Sequence, residues 1–308
     1  MQKTLLLWIF LAGLCAATTT RAVAQATAAG RIVLARVAGD VTVADNATKA
    51  ETAAVNGREI SQGFTVKTTK GASVVLVFSN GATINLKEES ELNIEKYLQD
   101  PFAQDFNPAT ATEEPSSSIT ALNLTKGELV GNVKKLNKEK ASSFNVQTPV
   151  GAAGIRGTTF RIVYRPKGDG TATFTLTTTD GTVVLTTGTV TLPVGAGVNN
   201  DQPKEIVIEV TVNPTTGVAT ITTPTATLVV SAAPLTSVSA VVEAAAVVAQ
   251  AVATVVFAPV TPAPATPPTP PKEEPKPPEK KPEEKPATPA PAVVPPAPTL
   301  TSGAGGTP

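Results

Sequence analysis

Apolar and polar residues alternate through short segments between residues 31 and 223, and this alternation predicts β-strands. The clearest pair is 74–78 (VVLVF) and 82–86 (ATINL), which flank Ser79-Asn80-Gly81. A period of two is the pattern of a strand with one buried face. Asn-Gly supplies the positive φ angles of a type I′ turn, so the sequence predicts a tight hairpin here.

Glycine followed by alternating valine or threonine recurs along the same region, at 39–43, 127–130, 181–185, 188–192 and 217–221. Each unit is one turn and one short strand, too small to bury its own apolar face. Stacked rungs of a twisted solenoid or the two facing sheets of a sandwich would bury it. The predicted fold class is therefore all-β, with both arrangements open.

Residues 236–257 change to an Ala/Val-rich segment without Gly or Pro, which predicts one short C-terminal helix capped by Ser237 or Ser239. Glu243 and Gln250 are seven residues apart and so share a helix face. The segment approaches the length of a membrane span, but a buried Glu costs about 2.5 kcal/mol or more. A packed or partner-binding helix is preferred to a transmembrane one.

The two ends of the chain have compositions that differ from the β-rich body. Residues 1–24 have a basic start, an apolar stretch at 5–17 and small residues before Ala24, as in a signal peptide cleaved after Ala24. Residues 258–308 hold 18 of the 28 prolines and few apolar residues, which predicts a disordered proline-rich tail. The chain is expected to be periplasmic or secreted, without membrane association after signal cleavage.

Composition removes several kinds of chemistry. The chain has no His, and its one Cys is lost with the signal peptide, so Ser-His-Asp, Cys-His and His-zinc sites are excluded. Lys+Arg and Asp+Glu are equal at 25 each, which argues against a nucleic-acid partner. We expect no catalytic residue, no metal and no cofactor, and hence no enzyme.

Residues 100–118 form a polar loop that contains two isolated aromatic residues, Phe102 and Phe106. Loops of this length inside a compact domain are often functional or disordered. The preferred interpretation is that both rings anchor the loop to the domain, and the alternative is that they contact a partner.

The most specific motif is QTPVGAAGIRGTTF at 147–160, where three glycines within seven residues allow a close backbone approach. It resembles the closing motif of the FecR domain. Its family positions are Thr148, Pro149, Gly151, Gly154, Arg156, Gly157, Thr158 and Phe160. Segments 36–43, 57–68, 78–86 and 122–133 resemble earlier FecR elements in the same order. The resemblance indicates a FecR-like domain at 30–165, with a β-rich continuation at 166–233.

The resemblance implies an extracytoplasmic domain without known catalysis, whose founding members are membrane regulators of iron-uptake signalling. Because a cleavable signal replaces their cytoplasmic segment, we expect an envelope scaffold, sensor or binding unit. Its partner would be an unidentified envelope protein or polysaccharide. The alternative is a membrane-tethered signalling regulator related to FecR-type anti-sigma systems.

Two groups of basic residues have both a structural and a binding interpretation. Arg156 could bind a carboxylate or phosphate, but an internal partner at the glycine-rich crossing is preferred. Lys134, Lys135, Lys138 and Lys140 form a cluster between two strands. A solvated hairpin tip is the default there, and a site for an anionic polymer is the alternative.

Overall fold

The computed structural model describes residues 28–259 except 138, 140, 189, 196–201, 214, 216–218 and 223–227. The predicted signal peptide, residues 1–24, lies outside the described residues. Of the predicted tail, 258–308, only residues 258 and 259 are described.

Strands make up most of the described chain. They are β1 (Ala28–Ala29), β2 (Ile32–Ala38), β3 (Val41–Asp45), β4 (Glu51–Ala53), β5 (Glu59–Ile60), β6 (Phe64–Thr68), β7 (Ser73–Phe78), β8 (Thr83–Leu86), β9 (Glu91–Gln99), β10 (Ser118–Asn132), β11 (Ser143–Thr148), β12 (Gly151–Ile155), β13 (Thr159–Lys167), β14 (Thr171–Asp180), β15 (Thr182–Thr187), β16 (Val190–Gly195), β17 (Lys204–Val212), β18 (Ala219–Ile221) and β19 (Ser231–Ala232). The helix α1 is Leu235–Val252.

The strands form two sheets that share the long strand β10. Sheet 1 has the order β4-β3-β6-β9-β10-β11-β12-β15-β16, with β1 beside the end of β9. Sheet 2 has the order β5-β2-β7-β8-β10-β13-β14-β17, with β18 and β19 beside β17. The first half of β10 pairs with β9 and β11, and the second half with β8 and β13. The β10–β11 pair is parallel.

The main core lies between the two sheets. Val66 and Leu122 of sheet 1 join Leu34, Leu76 and Phe174 of sheet 2 in one cluster of fully buried side chains. Residues on the inner faces alternate with exposed or half-buried ones, as the sequence pattern predicts. The all-β prediction is confirmed, and of the two arrangements left open the structure shows facing sheets.

The hairpin between β7 and β8 forms as predicted, but its turn type differs. The loop has three residues: the Gly81 amide donates to the Phe78 carbonyl, and the Phe78 amide to the Ala82 carbonyl. Gly81 has φ +86°, whereas Asn80 keeps a negative φ. This is a type I turn followed by a glycine bulge, not the predicted type I′ turn.

Helix α1 begins earlier and ends earlier than the predicted segment 236–257. Its N-cap is Pro234 in an extended conformation, without a side-chain cap, so the predicted caps Ser237 and Ser239 lie inside the helix. The Ser237 amide instead donates to the Pro234 carbonyl at 3.0 Å. The helix lies on the outer face of sheet 2, where its Val252 packs near Val77.

The predicted boundary between the segments 30–165 and 166–233 falls within β13. This strand continues through residue 167, and β14 and β17 extend the same sheet. The two predicted segments therefore form one body.

Candidate functional site

The FecR-like motif begins as a tight hairpin between β11 and β12. Thr148 is opposite Gly151, so Pro149 and Val150 form a two-residue connection. The Thr148 hydroxyl donates to the Gly151 carbonyl at 3.0 Å and accepts from the amides of Val150 and Gly151 at 3.3 Å. The threonine and proline of the motif thus fix this turn.

The two glycines of β12 have different surroundings. A Cβ on Gly151 would lie 2.3 Å from the backbone carbonyl oxygen of Thr186 on β15, far inside van der Waals contact. A Cβ on Gly154 would have its nearest neighbour, the Asn145 Oδ1, at 3.5 Å. Gly151 is required by the close approach of β12 and β15, whereas Gly154 leaves a shallow depression on the outer face of sheet 1.

The rest of the motif carries the chain from sheet 1 to sheet 2. Gly157 has φ +65°, which favours glycine. The Thr158 carbonyl accepts from the Val133 amide at 2.9 Å. Phe160 is fully buried, and its ring fills the space above Gly131. These motif residues build the junction between the sheets.

Arg156 does not have the internal partner that was expected. Its side chain is exposed, and within the described residues its guanidinium has no hydrogen bond or ion pair. The expected internal partner of Arg156 is therefore not found among the described residues. The chain turns through Gly157 without a polar side chain to satisfy it, so Arg156 stays available to solvent.

Arg156 stands at the end of a groove of about 610 Å³ on the outer face of sheet 1. The groove crosses β11, β12 and β15, and Ser143, Asn145, Gly154 and Val184 line it. Val184 is 42% exposed. The arrangement offers a positive charge, an amide and a hydroxyl beside a depression in a flat sheet, which suits an extended ligand that carries an anionic group.

The outer faces of the two sheets differ in how far they are covered. On sheet 2 the helix covers Ala35, Val75 and Val77. On sheet 1 the alternating positions of β11 and β15 remain exposed, including Gln147 and Thr186. Within the described residues, sheet 1 therefore has the more open face.

Phe102 and Phe106 lie inside the body. Each is only 8% exposed, and their rings form an edge-to-face contact with centroids 6.2 Å apart. Phe106 and Phe257 exchange two backbone hydrogen bonds of 2.9 Å, which tie the loop to the segment after α1. The rings are not an exposed partner contact, so that alternative is wrong.

A charged cluster that the sequence analysis did not identify lies beside the N-terminal half of α1. Glu128 accepts from Arg161 at 2.8 Å and from Arg165 at 3.1 Å. Burial opposes ionisation of Glu128, but the hydrogen bonds and charges of the two arginines outweigh it and lower its pKa. The sequence places Arg161 and Arg165 on one face of β13, but the register that sets Glu128 opposite Val163 between them is visible only in the structure.

The predicted lysine cluster does not form one patch in the part of the chain that the structure describes. Lys135 is exposed and pairs with Glu113 at 2.8 Å. Lys134 is half-buried at a cleft between sheet 2 and α1. Lys138 and Lys140 lie outside the described residues.

Among the described residues, no group of three or more His, Cys, Asp or Glu side chains is placed to hold a metal ion. One described helix, α1, is long and apolar enough to cross a membrane, with a mean hydropathy of 1.7.

Comparison with known proteins shows what the region around this motif resembles. The family model described as FecR protein matches residues 64–191, from β6 into β16. No curated protein matches the chain. Two crystal structures, at 2.50 and 1.65 Å resolution, of a protein described as a "putative anti-sigma factor" from Parabacteroides distasonis ATCC 8503 each match with 15% identity and a TM-score of 0.32. Each match covers 51% of this chain and 58% of the solved one. The matched segment, which includes the whole 147–160 motif, is similar to the family described as FecR protein.

Proposed function

We propose that this chain is a non-enzymatic, extracytoplasmic binding module that holds an envelope partner on the outer face of sheet 1. The observation that carries the proposal is the exposed Arg156, which has no polar partner among the described residues, at the end of the groove over β11, β12 and β15. An unpaired guanidinium next to exposed polar groups favours a partner with a carboxylate or phosphate on an extended backbone.

The burial of titratable groups supports binding rather than catalysis. Glu128 is held ionised by two arginines, so it lacks the proton affinity that a general acid needs near neutral pH. The Tyr97 hydroxyl is buried among Ser79 and Asn80, and burial raises its pKa. Neither group is suited to exchange a proton with a substrate.

The packing of α1 bears on the alternative of a membrane-tethered regulator. Val241 and Ala244 pack against Val130, and Ala251 and Val252 pack in the cluster that contains Phe257. Moving this helix into a bilayer would expose the apolar outer face of sheet 2, which costs about 25 cal/mol per Å². Carbonate extraction of the native membrane fraction distinguishes the envelope binding module from the membrane-tethered regulator. We expect the chain in the soluble fraction.

Affinity capture from the native envelope tests the binding surface. We expect proteins or glycans retained by the full chain to be lost with Arg156→Gln and kept with Arg36→Gln. Arg36 is also exposed, which makes it a matched control for charge removal. Equal retention by all three proteins would contradict the proposed surface.

A further inference from the structure

We infer that the cleft between α1 and sheet 2 is a second binding site, for a small amphiphilic carboxylate. The site is independent of the proposed surface on sheet 1, since it lies on the outer face of the opposite sheet. Three features of the cleft carry the inference: its apolar volume, a half-buried lysine and a buried hydroxyl, the last two without a partner in the part of the chain that the structure describes.

The cleft has a volume of about 240 Å³. Val130 of β10 forms its floor, and Val248 and Val252 of α1 form one wall. An apolar cavity of about 150 Å³ holds a benzene molecule of six carbons. By that scale the cleft holds roughly ten non-hydrogen atoms, which is the size of an eight-carbon carboxylate.

Lys134 supplies the positive charge at the edge of the cleft. Its aliphatic stem is close to the Phe106 ring, because both would contact a Cβ placed on Gly81, at 2.9 Å and 3.0 Å. The described residues place no acidic side chain within ion-pair distance of Lys134. Burial lowers the pKa of its ammonium group, and a bound carboxylate would offset this penalty.

Thr83 supplies a polar group inside the cleft. Its side chain is only 3% exposed, and its Oγ1 atom has no hydrogen-bond partner among the described residues. Buried hydroxyl groups without partners are uncommon, because the lost hydrogen bond to water is not replaced. Thr83 and Lys134 both line the cleft, so a carboxylate bound there would accept a hydrogen bond from the Thr83 hydroxyl and pair with Lys134.

These features favour one anionic head group and one apolar tail. A neutral alcohol of the same length would fill the apolar volume without pairing with Lys134. A short carboxylate such as butyrate would pair with the lysine without filling the volume. The inference therefore predicts that an eight-carbon carboxylate binds more tightly than either.

Isothermal titration of the purified full-length chain with octanoate, octan-1-ol and butyrate tests this site. We expect saturable one-to-one binding of octanoate. Lys134→Met keeps the apolar stem and should weaken octanoate binding about tenfold or more while octanol binding is unchanged. Lys135→Met is the matched control, because the neighbouring lysine is exposed and already paired, and it should leave octanoate binding within about twofold.

A cleft-filling variant, Val248→Phe, should abolish binding of both octanoate and octanol. Thermal unfolding of each variant shows that the chain is folded in the titration. Absence of saturable octanoate binding to the folded wild-type chain would overturn the inference. Equal losses in Lys134→Met and Lys135→Met would also overturn it, since the effect would then be one of overall charge.

Discussion

Replacing the two glycines of β12 by alanine, one at a time, should give opposite results. Both belong to the FecR-like motif, and both lie in the same strand. Gly151 faces the backbone of β15, whereas Gly154 faces the groove on the outer side of sheet 1. The two variants therefore compare a glycine that the packing of β12 against β15 requires with a glycine that this packing does not require.

The expected loss of stability in Gly151→Ala follows from the distance between the new Cβ and β15. The alanine Cβ at position 151 would be 2.3 Å from the Thr186 carbonyl oxygen, about 1.1 Å inside the 3.4 Å at which ordinary contacts begin. Separating β12 from β15 by that amount breaks ladder hydrogen bonds, each of which contributes about 1 kcal/mol. Overpacking adds about 1–3 kcal/mol. We expect Gly151→Ala to lower the free energy of unfolding by about 2–4 kcal/mol.

Gly154→Ala should be neutral or stabilise the fold by up to about 1 kcal/mol, since its Cβ meets its nearest atom at 3.5 Å. Urea unfolding of the full-length chain measures both variants. With a slope of about 2–3 kcal/mol per molar, Gly151→Ala should lower the midpoint by roughly 1 M. Equal midpoints for the two variants, or the larger loss for Gly154→Ala, would refute the packing argument.

Three further substitutions test the ion pair, the loop anchor and the motif turn. Glu128→Gln should cost about 2–3 kcal/mol at pH 7, because Arg161 is 17% exposed and loses its partner. The pKa of Glu128 is lowered in the folded chain, so its contribution to the free energy of unfolding is complete above about pH 4.3 and disappears as the pH falls through the folded pKa. The urea midpoints of the wild type and Glu128→Gln should therefore converge in acid. Phe106→Ala should lower the free energy of unfolding by about 3–4 kcal/mol and speed proteolytic cleavage in the loop. Unchanged stability and cleavage would mean that the contact with the Phe257 segment does not anchor the loop. Thr148→Val removes the hydroxyl of the turn and should cost about 1 kcal/mol in the same urea assay, with no effect expected if water replaces it.

Local patterns predicted the strands well because alternation of apolar and polar residues records burial directly. The pairing of β7 and β8, for example, follows from two alternating segments around one turn. The turn type was not predictable from Asn-Gly alone. Asn80 accepts from the Ala82 amide at 3.0 Å and donates to the Ser118 hydroxyl at 3.0 Å, and these contacts accompany its negative φ.

Long-range pairing could not be read from the sequence. The division of β10 between two sheets depends on partners that lie far away along the chain, such as β8 and β13. The anchoring of Phe106 likewise depends on Phe257, about 150 residues later. The motif residues were found, but the exposure of Arg156 was not, since a glycine-rich crossing can satisfy its polar groups from the backbone alone.

Site-specific photo-crosslinking in living cells tests the central claim most directly. A photoreactive residue replaces Val184 in the groove of sheet 1, or Val242 on the solvent side of α1, where the native side chains are 42% and 62% exposed. The account predicts a defined crosslinked product from position 184 that Arg156→Gln removes, and none from position 242. A product from position 242 alone, or one from position 184 that is unaffected by Arg156→Gln, would contradict it.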